Sequence, residues 1–399
     1  MTEAYDFGLI VLLVAAGYAL AVFASRLSER MSVPAPAIFL VAAALASDLS
    51  ARLGDELDIR QVERIAVVAL IVILFDGGAR IGLKRFRAAA GPVLALGVPG
   101  TFATAGAMTL VAHWALGFGW VTAGLIGSAI APTDPAVMFS VLGRREVSGR
   151  TGTILEAESG ANDPVGIALM IGMIEFATHG NATFWTVVRE FSEEMAVGLV
   201  VGVVGAYGLV QLMRHVRLPS AGLYPVRTLA IAGVIYGAAS VLHGSGFLAV
   251  FIAGIVSGDE HTPYADDIER FMTSLASLAE ITVFVTLGLT IGLTSISART
   301  WVDGFVLAGA LAFLARPVIA GALLLPARLR AGERLFVMWS GLKGAVPIFL
   351  AAFAILAGVD DASRIYDIVF VVVLFSVAVQ GSSIPLAARI CGVPMREAR

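Results

Sequence analysis

The sequence predicts an all-α polytopic membrane protein with about thirteen transmembrane helices, arranged as two inverted six-helix repeats. Three observations predict it. Of 399 residues, 58% are hydrophobic and only 14% are charged, against about 25% charged in a soluble domain. The apolar residues fall in runs of roughly 15 to 25, enough for helices to cross a hydrocarbon layer of about 30 Å with every backbone polar group satisfied inside its own segment. Lys and Arg fall unevenly on alternate loops: nineteen lie on one side, six on the other, and Arg316 and Lys343 lie within spans. A miscounted span would swap the sides of all later loops and blur that asymmetry. The bias therefore supports an odd number of spans, with the N-terminus outside and the C-terminus in the cytoplasm.

Taken in order, spans 1 to 3 are predicted over 7–25, 33–49 and 62–76. The third is closed by Asp76-Gly77-Gly78, which reads as a helix end with a cytoplasmic anchor ahead of the basic loop from Arg80 to Arg87. Span 4 covers 89–113 and is kinked by Pro99-Gly100. Span 5 covers 119–142 and is broken at Pro132-Thr133-Asp134-Pro135, since proline removes a backbone donor and clashes with the preceding turn. Span 6 covers 151–177. Span 7 begins in an amphipathic lead-in (Arg189, Glu190, Glu193, Glu194) and ends near 214. Spans 8 to 10 cover 226–242, 245–257 and 270–293, and span 11 covers 301–325. Span 12 covers 334–357 and is broken by Gly341-Leu342-Lys343-Gly344-Ala345-Val346-Pro347. Span 13 covers 365–388. No soluble domain is expected after it.

Spans 4, 5 and 6 find counterparts in spans 11, 12 and 13. A proline kink recurs as Arg316-Pro317, a broken span recurs, and a polar span recurs with Gln380-Gly381-Ser382-Ser383. Six spans, one linker and six spans set the two halves in opposite orientations. Interrupted helices at matching places in inverted halves point to a transporter with its site near the midplane.

Composition also excludes. The net charge of −3 gives no reason to expect a nucleic-acid partner, and a single cysteine, Cys391, rules out internal disulfides and a cysteine-rich metal site. No basic residue precedes the first apolar run, so that run reads as a retained span rather than a cleaved signal. His113, His215 and His243 fall at span ends, His179 and His261 in loops, and none has metal-ligand spacing with another. No cofactor is implied, and nothing suggests an enzyme.

The chemistry concentrates in Glu158-Ser159-Gly160-Ala161-Asn162-Asp163-Pro164, within an otherwise apolar run. A carboxylate at lipid depth costs about 3 kcal/mol on insertion scales, so a sequence retains one where a charge is bound or moved. Desolvation penalises a bare carboxylate, and proton and cation then compete for the oxygens of Asp163. Ser159 stands four residues earlier, on the same helix face. It is either an oxygen ligand for a hard cation or a small residue that lets helices approach. Glu158 at that depth requires a cationic partner. Arg316 is the expected one, and the alternative is that Glu158 itself helps hold the ion. In the span 5 break, the Thr133 hydroxyl and freed carbonyls are natural cation ligands. Asp134 there offsets the positive end of the following half-helix, and Lys343 does the converse at a half-helix C-terminus. Glu280, inside span 10, reads equally as a polar gate or a satisfied packing residue.

These motifs together resemble the cation/proton antiporters of the NhaP-like branch, in the Na⁺/H⁺ exchanger part of the monovalent cation:proton antiporter superfamily. The motifs are Glu158-Ser159-x-x-Asn162-Asp163, Pro132-Thr133-Asp134-Pro135, Ala315-Arg316-Pro317 and Gly341-Leu342-Lys343-Gly344-Ala345-Val346, and Leu74-Phe75-Asp76-Gly77-Gly78 looks like that family's span 3 ending. The resemblance covers the whole chain. It implies two crossed, discontinuous helices, with a mobile core of spans 4–6 and 11–13 (89–177 and 301–388). The core would work against a dimer-forming scaffold of spans 1–3 and 7–10 (7–76 and 184–293). It implies exchange of Na⁺ or K⁺ for H⁺ in a cell (inner) membrane by a homodimer, with Asp163 as ion and proton carrier. Asn162, Ser159 and Thr133 would stand beside it at the ion, and Glu158 would pair with Arg316. Asn162 in place of a second Asp resembles the electroneutral members. Lys343 stands where Arg is commoner and Asp76 where Glu is commoner. Many relatives carry a cytoplasmic regulatory domain, which is not expected here. A K⁺-selective exchanger is the near alternative. An intramembrane aspartyl protease using Asp134 and Asp163 is the distant one. An ion channel is a third class, and the lack of a repeated carbonyl filter or charge ring in the sequence argues against it.

Overall fold

The computed structural model describes residues 2–31, 33–49, 58–142, 145–178, 184–260 and 262–397. His179, His261, Arg52, Arg144 and Arg399 lie outside them. The first half comprises α1 (Thr2–Met31), α2 (Ala35–Leu49), α3 (Ile59–Ala95), α4 (Thr101–Leu116), α5 (Trp120–Ala129), α6 (Ala136–Leu142) and α7 (Gly149–Thr178), with a short strand β1 (Arg145–Val147) before α7. Helix α8 (Phe184–His215) follows. The second half comprises α9 (Leu223–Val241), α10 (Gly246–Ser257), α11 (Ala265–Leu289), α12 (Ala298–Ala310), α13 (Arg316–Leu323), α14 (Ala331–Trp339), α15 (Ala345–Leu356), α16 (Ala362–Phe375) and α17 (Ile384–Ile390), and the chain closes on β2 (Met395–Glu397). Joined across their kinks and breaks, and with α3 divided at its kink, these described helices make thirteen rods. This is a multi-pass membrane architecture. Six continuous helical stretches, among them Ile59–Leu116 and Ala362–Ile390, are long and apolar enough to cross a bilayer.

The interruptions have local causes. Helix α3 reaches α4 through a π-helical turn, Leu96–Gly100, that contains Pro99, and α12 reaches α13 through another, Leu311–Ala315, just before Arg316-Pro317. In both places a proline withdraws one backbone donor and the ladder widens locally to absorb the loss. A third π turn, Ser376–Gln380, bends the last span. Its counterpart α7 runs unbroken through Pro164.

Two expectations are corrected. Asp76-Gly77-Gly78 does not end span 3: α3 continues past it and breaks its dihedrals at Gly82 (φ 68°, ψ 161°), a conformation that disfavours a Cβ. Gly78 serves packing instead. A Cβ on Gly78 would lie 2.5 Å from the Phe251 carbonyl of α10 and 2.9 Å from the Ile255 amide, and Gly254 faces the Phe75 carbonyl in return. Backbones can approach that closely only without side chains. Second, Asp76 is not an interfacial anchor. It is buried, bonded to Arg80 (2.7 Å) and to the Thr273 hydroxyl of α11 (3.3 Å).

Candidate functional site

The two broken spans meet at their breaks. The Asp134 amide donates to the Leu342 carbonyl at 2.8 Å, so the loop between α5 and α6 is stitched to the loop between α14 and α15. Each loop also supplies a charge. Asp134 accepts from the Ala136 amide at the start of α6 (2.9 Å) and from the Ala345 amide at the start of α15. Lys343 Nζ donates to the carbonyls of Ala131 (2.7 Å) and Pro132 (2.8 Å), just past the end of α5. One carboxylate thus faces two helix N-termini, and one ammonium faces carbonyls left over at a helix C-terminus, the favourable sign in both cases. Two of the carbonyls that the break frees are therefore taken by the lysine.

Helix α7 crosses behind this junction, with a face buried from Glu158 to Ala168. Glu158 (1% exposed) receives both terminal nitrogens of Arg316, NH2 at 2.8 Å, and Arg316 reaches on to the Val337 carbonyl at 3.4 Å. That fork joins α7 to α13 and the end of α14. Asn162 binds the other break. Its amide donates to the Thr133 hydroxyl at 2.7 Å, and its carbonyl accepts from the Thr133 backbone at 3.3 Å.

Asp163 is different. Among the described residues no hydrogen bond or ion pair reaches it, and its Oδ1 is wholly buried. The charged groups that act on it are Asp134 and Lys343. Asp163 and Ser159 open onto a cavity of about 760 Å³, whose inner wall also includes Asp134, Ala345, Phe251 and Glu280. The lining also includes Arg80, Arg85, Glu156, Glu146 and Arg396, of which the three arginine side chains reach solvent. There Arg85 pairs with Glu156 (3.1 Å), and Arg396 of β2 pairs with Glu146 of β1 (2.8 Å) across a three-residue antiparallel register. The mouth thus lies at the arginine-rich end of the helices.

The structure therefore gathers Asp163, Ser159, Asn162, Thr133, Asp134, Lys343, Glu158 and Arg316 around one crossing. Ser159 and Asp163 face the cavity, and Asn162 and Thr133 hold each other beside it. The sequence singles out Gln380 only as part of a polar run and does not single out Ser376: the Ser376 hydroxyl accepts from the Lys343 amide (2.8 Å), and Gln380 donates to the Trp339 carbonyl (2.6 Å). The polar run Gln380-Gly381-Ser382-Ser383 was the available signal. It also left Glu280 without a place. A carboxylate with unfilled lone pairs, a neighbouring hydroxyl and a water-sized access route can hold one proton or one small cation, because a hard cation takes oxygen ligands.

Two helices broken at mid-depth, crossed, each compensated by a charge and facing an unpaired carboxylate, define a membrane protein of the inverted-repeat transporter type. The profile of the family described as "Sodium/hydrogen exchanger, transmembrane" matches residues 4–389, and the chain belongs to that family. It is 34% identical over 384 residues to the K(+)/H(+) antiporter NhaP of Alkalimonas amylolytica, covering 96% of this chain and 66% of that protein. It is 32% identical over 382 residues to the K(+)/H(+) antiporter NhaP2 of Shewanella baltica (strain OS223), covering 94% and 66%. The chain thus spans 66% of the length of these relatives. A third relative, the Na(+)/H(+) antiporter NhaH of Halobacillus dabanensis, is 26% identical over 340 residues, covering 80% and 82%. The fold is that of the sodium proton antiporter MjNhaP1 from Methanocaldococcus jannaschii at pH 8, with a TM-score of 0.82 at 22% identity, over 94% of this chain and 100% of that one.

Proposed function

We propose that the protein exchanges a monovalent cation, Na⁺ or K⁺, for a proton, with both competing for Asp163. The observation that carries this reading is the carboxylate itself: buried, unpartnered, and at the closed end of a cavity. An unpaired acid at that depth is costly, and binding either H⁺ or a cation neutralises it. Ser159 offers a second oxygen. The Thr133 hydroxyl, with one lone pair given to Asn162, keeps another. Asn162 acts by fixing Thr133, and Glu158–Arg316 closes a charge balance inside the core. A single carboxylate at the crossing on α7, with Asn162 beside it in place of a second Asp, supports one-for-one, electroneutral exchange.

In the carrying cycle, one side loads Asp163 with a proton and the other exchanges it for the cation. The core of spans 4–6 and 11–13 moves against the scaffold of spans 1–3 and 7–10, and two scaffolds form a homodimer; both expectations come from the family resemblance. The cavity mouth lies at the basic end, so this state is open to the cytoplasm of a cell (inner) membrane, by the positive-inside rule. K⁺ as the preferred ion is a second reading, favoured by the names of the relatives at 34% and 32% identity. The protease alternative is not favoured, because Asp134 is committed to two helix N-termini.

The test is cation-driven proton movement in proteoliposomes, read by pH dequenching over a Li⁺, Na⁺, K⁺, Rb⁺ series. Asp163→Asn should abolish the signal for every cation, and transport at the wild-type rate in that variant would sink the reading. The series itself decides between Na⁺ and K⁺.

A further inference from the structure

The cavity that ends at Asp163 holds a second carboxylate without a partner. Glu280 lies on α11, outside the two broken spans and α7, and α11 packs on α2 and α3. Its side chain is half-buried and lines the same cavity as Asp163 and Ser159. Among the described residues no hydrogen bond or ion pair reaches it. The charged groups acting on it are Asp134, across the cavity on the crossing, and Arg80 on α3. Neither can neutralise it: Asp134 carries the same sign, and Arg80 is bonded to Asp76 at 2.7 Å. Other acids of the wall are accounted for. Asp76 has Arg80 and Thr273, Glu156 has Arg85, and Glu146 has Arg396. Glu269, also in the wall, is exposed to solvent, so among the buried and half-buried acids Glu280 and Asp163 are left over, and Asp163 has its Oδ1 wholly buried and empty of partners.

An acid at lipid depth with no compensating group is a functional position by default. We propose that Glu280 is a docking carboxylate for the monovalent cation, a site the ion occupies between the basic mouth and Asp163. The proposal rests on the reading of Asp163 as carrier. The geometry gives Glu280 a distinct task. It belongs to a different helix layer from α7, so it stays behind when α7 moves, and it concentrates cations next to the opening through which Asp163 loads. A low-dielectric wall strengthens that attraction and discourages anions from the same space.

Two measurements test it. In proteoliposomes, Glu280→Gln should raise the apparent KM for the transported cation about tenfold, far more than it changes the maximal rate, while Glu280→Asp should recover most of the loss. A purely structural glutamate would instead lower the maximal rate and the melting temperature together, with KM unmoved, and that outcome overturns the proposal. The second measurement needs no substitution at Glu280. Carbodiimide modification of Glu280, followed by peptide mass spectrometry, should fall severalfold when Na⁺ or K⁺ replaces choline, and should still fall in Asp163→Asn. Labelling indifferent to the cation in both proteins also overturns it. If Asp163→Asn transports normally, the carrier assignment fails instead, so the two failures are told apart.

Discussion

At the scale of single residues, burial and pairing sort the charged groups of the crossing. Arg316 is 6% exposed and Glu158 1%, and each holds the other at both terminal atoms. The desolvation of two ions is repaid only while both are present. Arg316→Met alone should therefore cost about 3 kcal/mol or more of stability by leaving an unpaired buried carboxylate, whereas Glu158→Met with Arg316→Met should cost clearly less. Thermal unfolding in detergent checks this. A double variant that melts as low as the single one would show that the pair acts beyond charge compensation. That these two residues are neighbours was legible in the sequence, because Arg316 and Lys343 are the only basic residues away from span ends and Lys343 sits in a break. That Asn162 would grip Thr133 at two points was not legible. Spacing places Asn162 on α7, but no local signal says which of its faces meets the span 5 break.

At the scale of elements, the crossing is built from short pieces that could not stand alone. Helix α6 has seven residues and α14 nine, below the length at which isolated helices persist in water. The half-helix ends at the breaks are held by two charges, Asp134 at the starts of α6 and α15 and Lys343 just past the end of α5, and that leaves no spare room. A Cβ on Gly344 would fall on the Asp134 carboxylate, which is pinned by the Ala136 and Ala345 amides. Gly344→Ala should destabilise by about 2 kcal/mol through overpacking alone, and it should lower transport further by displacing Asp134. Melting and proteoliposome flux measured together check both effects. Wild-type flux would mean that Asp134 has another stable position. The two breaks were legible because proline and glycine interrupt apolar runs at matching places in the two halves. The π turn Ser376–Gln380 was not: its nearest proline, Pro385, lies outside the turn, and no residue within it forbids an α-helix. The end of span 3 was misread for a related reason. Gly77-Gly78 looks like a terminus, yet whether a glycine pair stops a helix or lets another helix lie against it depends on Gly254, 176 residues further on.

At the scale of the molecule, the number of spans and the inversion of the halves followed from hydropathy and loop charge, because the bilayer constrains both. The cavity did not follow from them. Its wall draws on α3, the span 5 break, α6, α7, α10, α11, α15 and the β1–β2 pair, and only the packed chain brings Arg396 beside Glu146. The direction in which it opens is open to a direct test. Ser277 of α11 lines it, and Cys391 is the single native cysteine. In a Cys391→Ser background, Ser277→Cys changes one atom in the side chain and places a thiol on the route to Asp163. If the arginine-rich end is cytoplasmic, as proposed from the excess of Lys and Arg on that side, a membrane-impermeant maleimide should modify this thiol from the cytoplasmic face of inside-out vesicles. It should leave the thiol largely untouched in right-side-out vesicles. Alternating access adds a second expectation, since a shift toward the outward-open state closes this mouth. Cation and pH gradients that move the population should therefore slow the modification severalfold. Equal labelling from both faces, or labelling from the outer face alone, would overturn the orientation and with it the identification of this cavity as the cytoplasmic approach to Asp163.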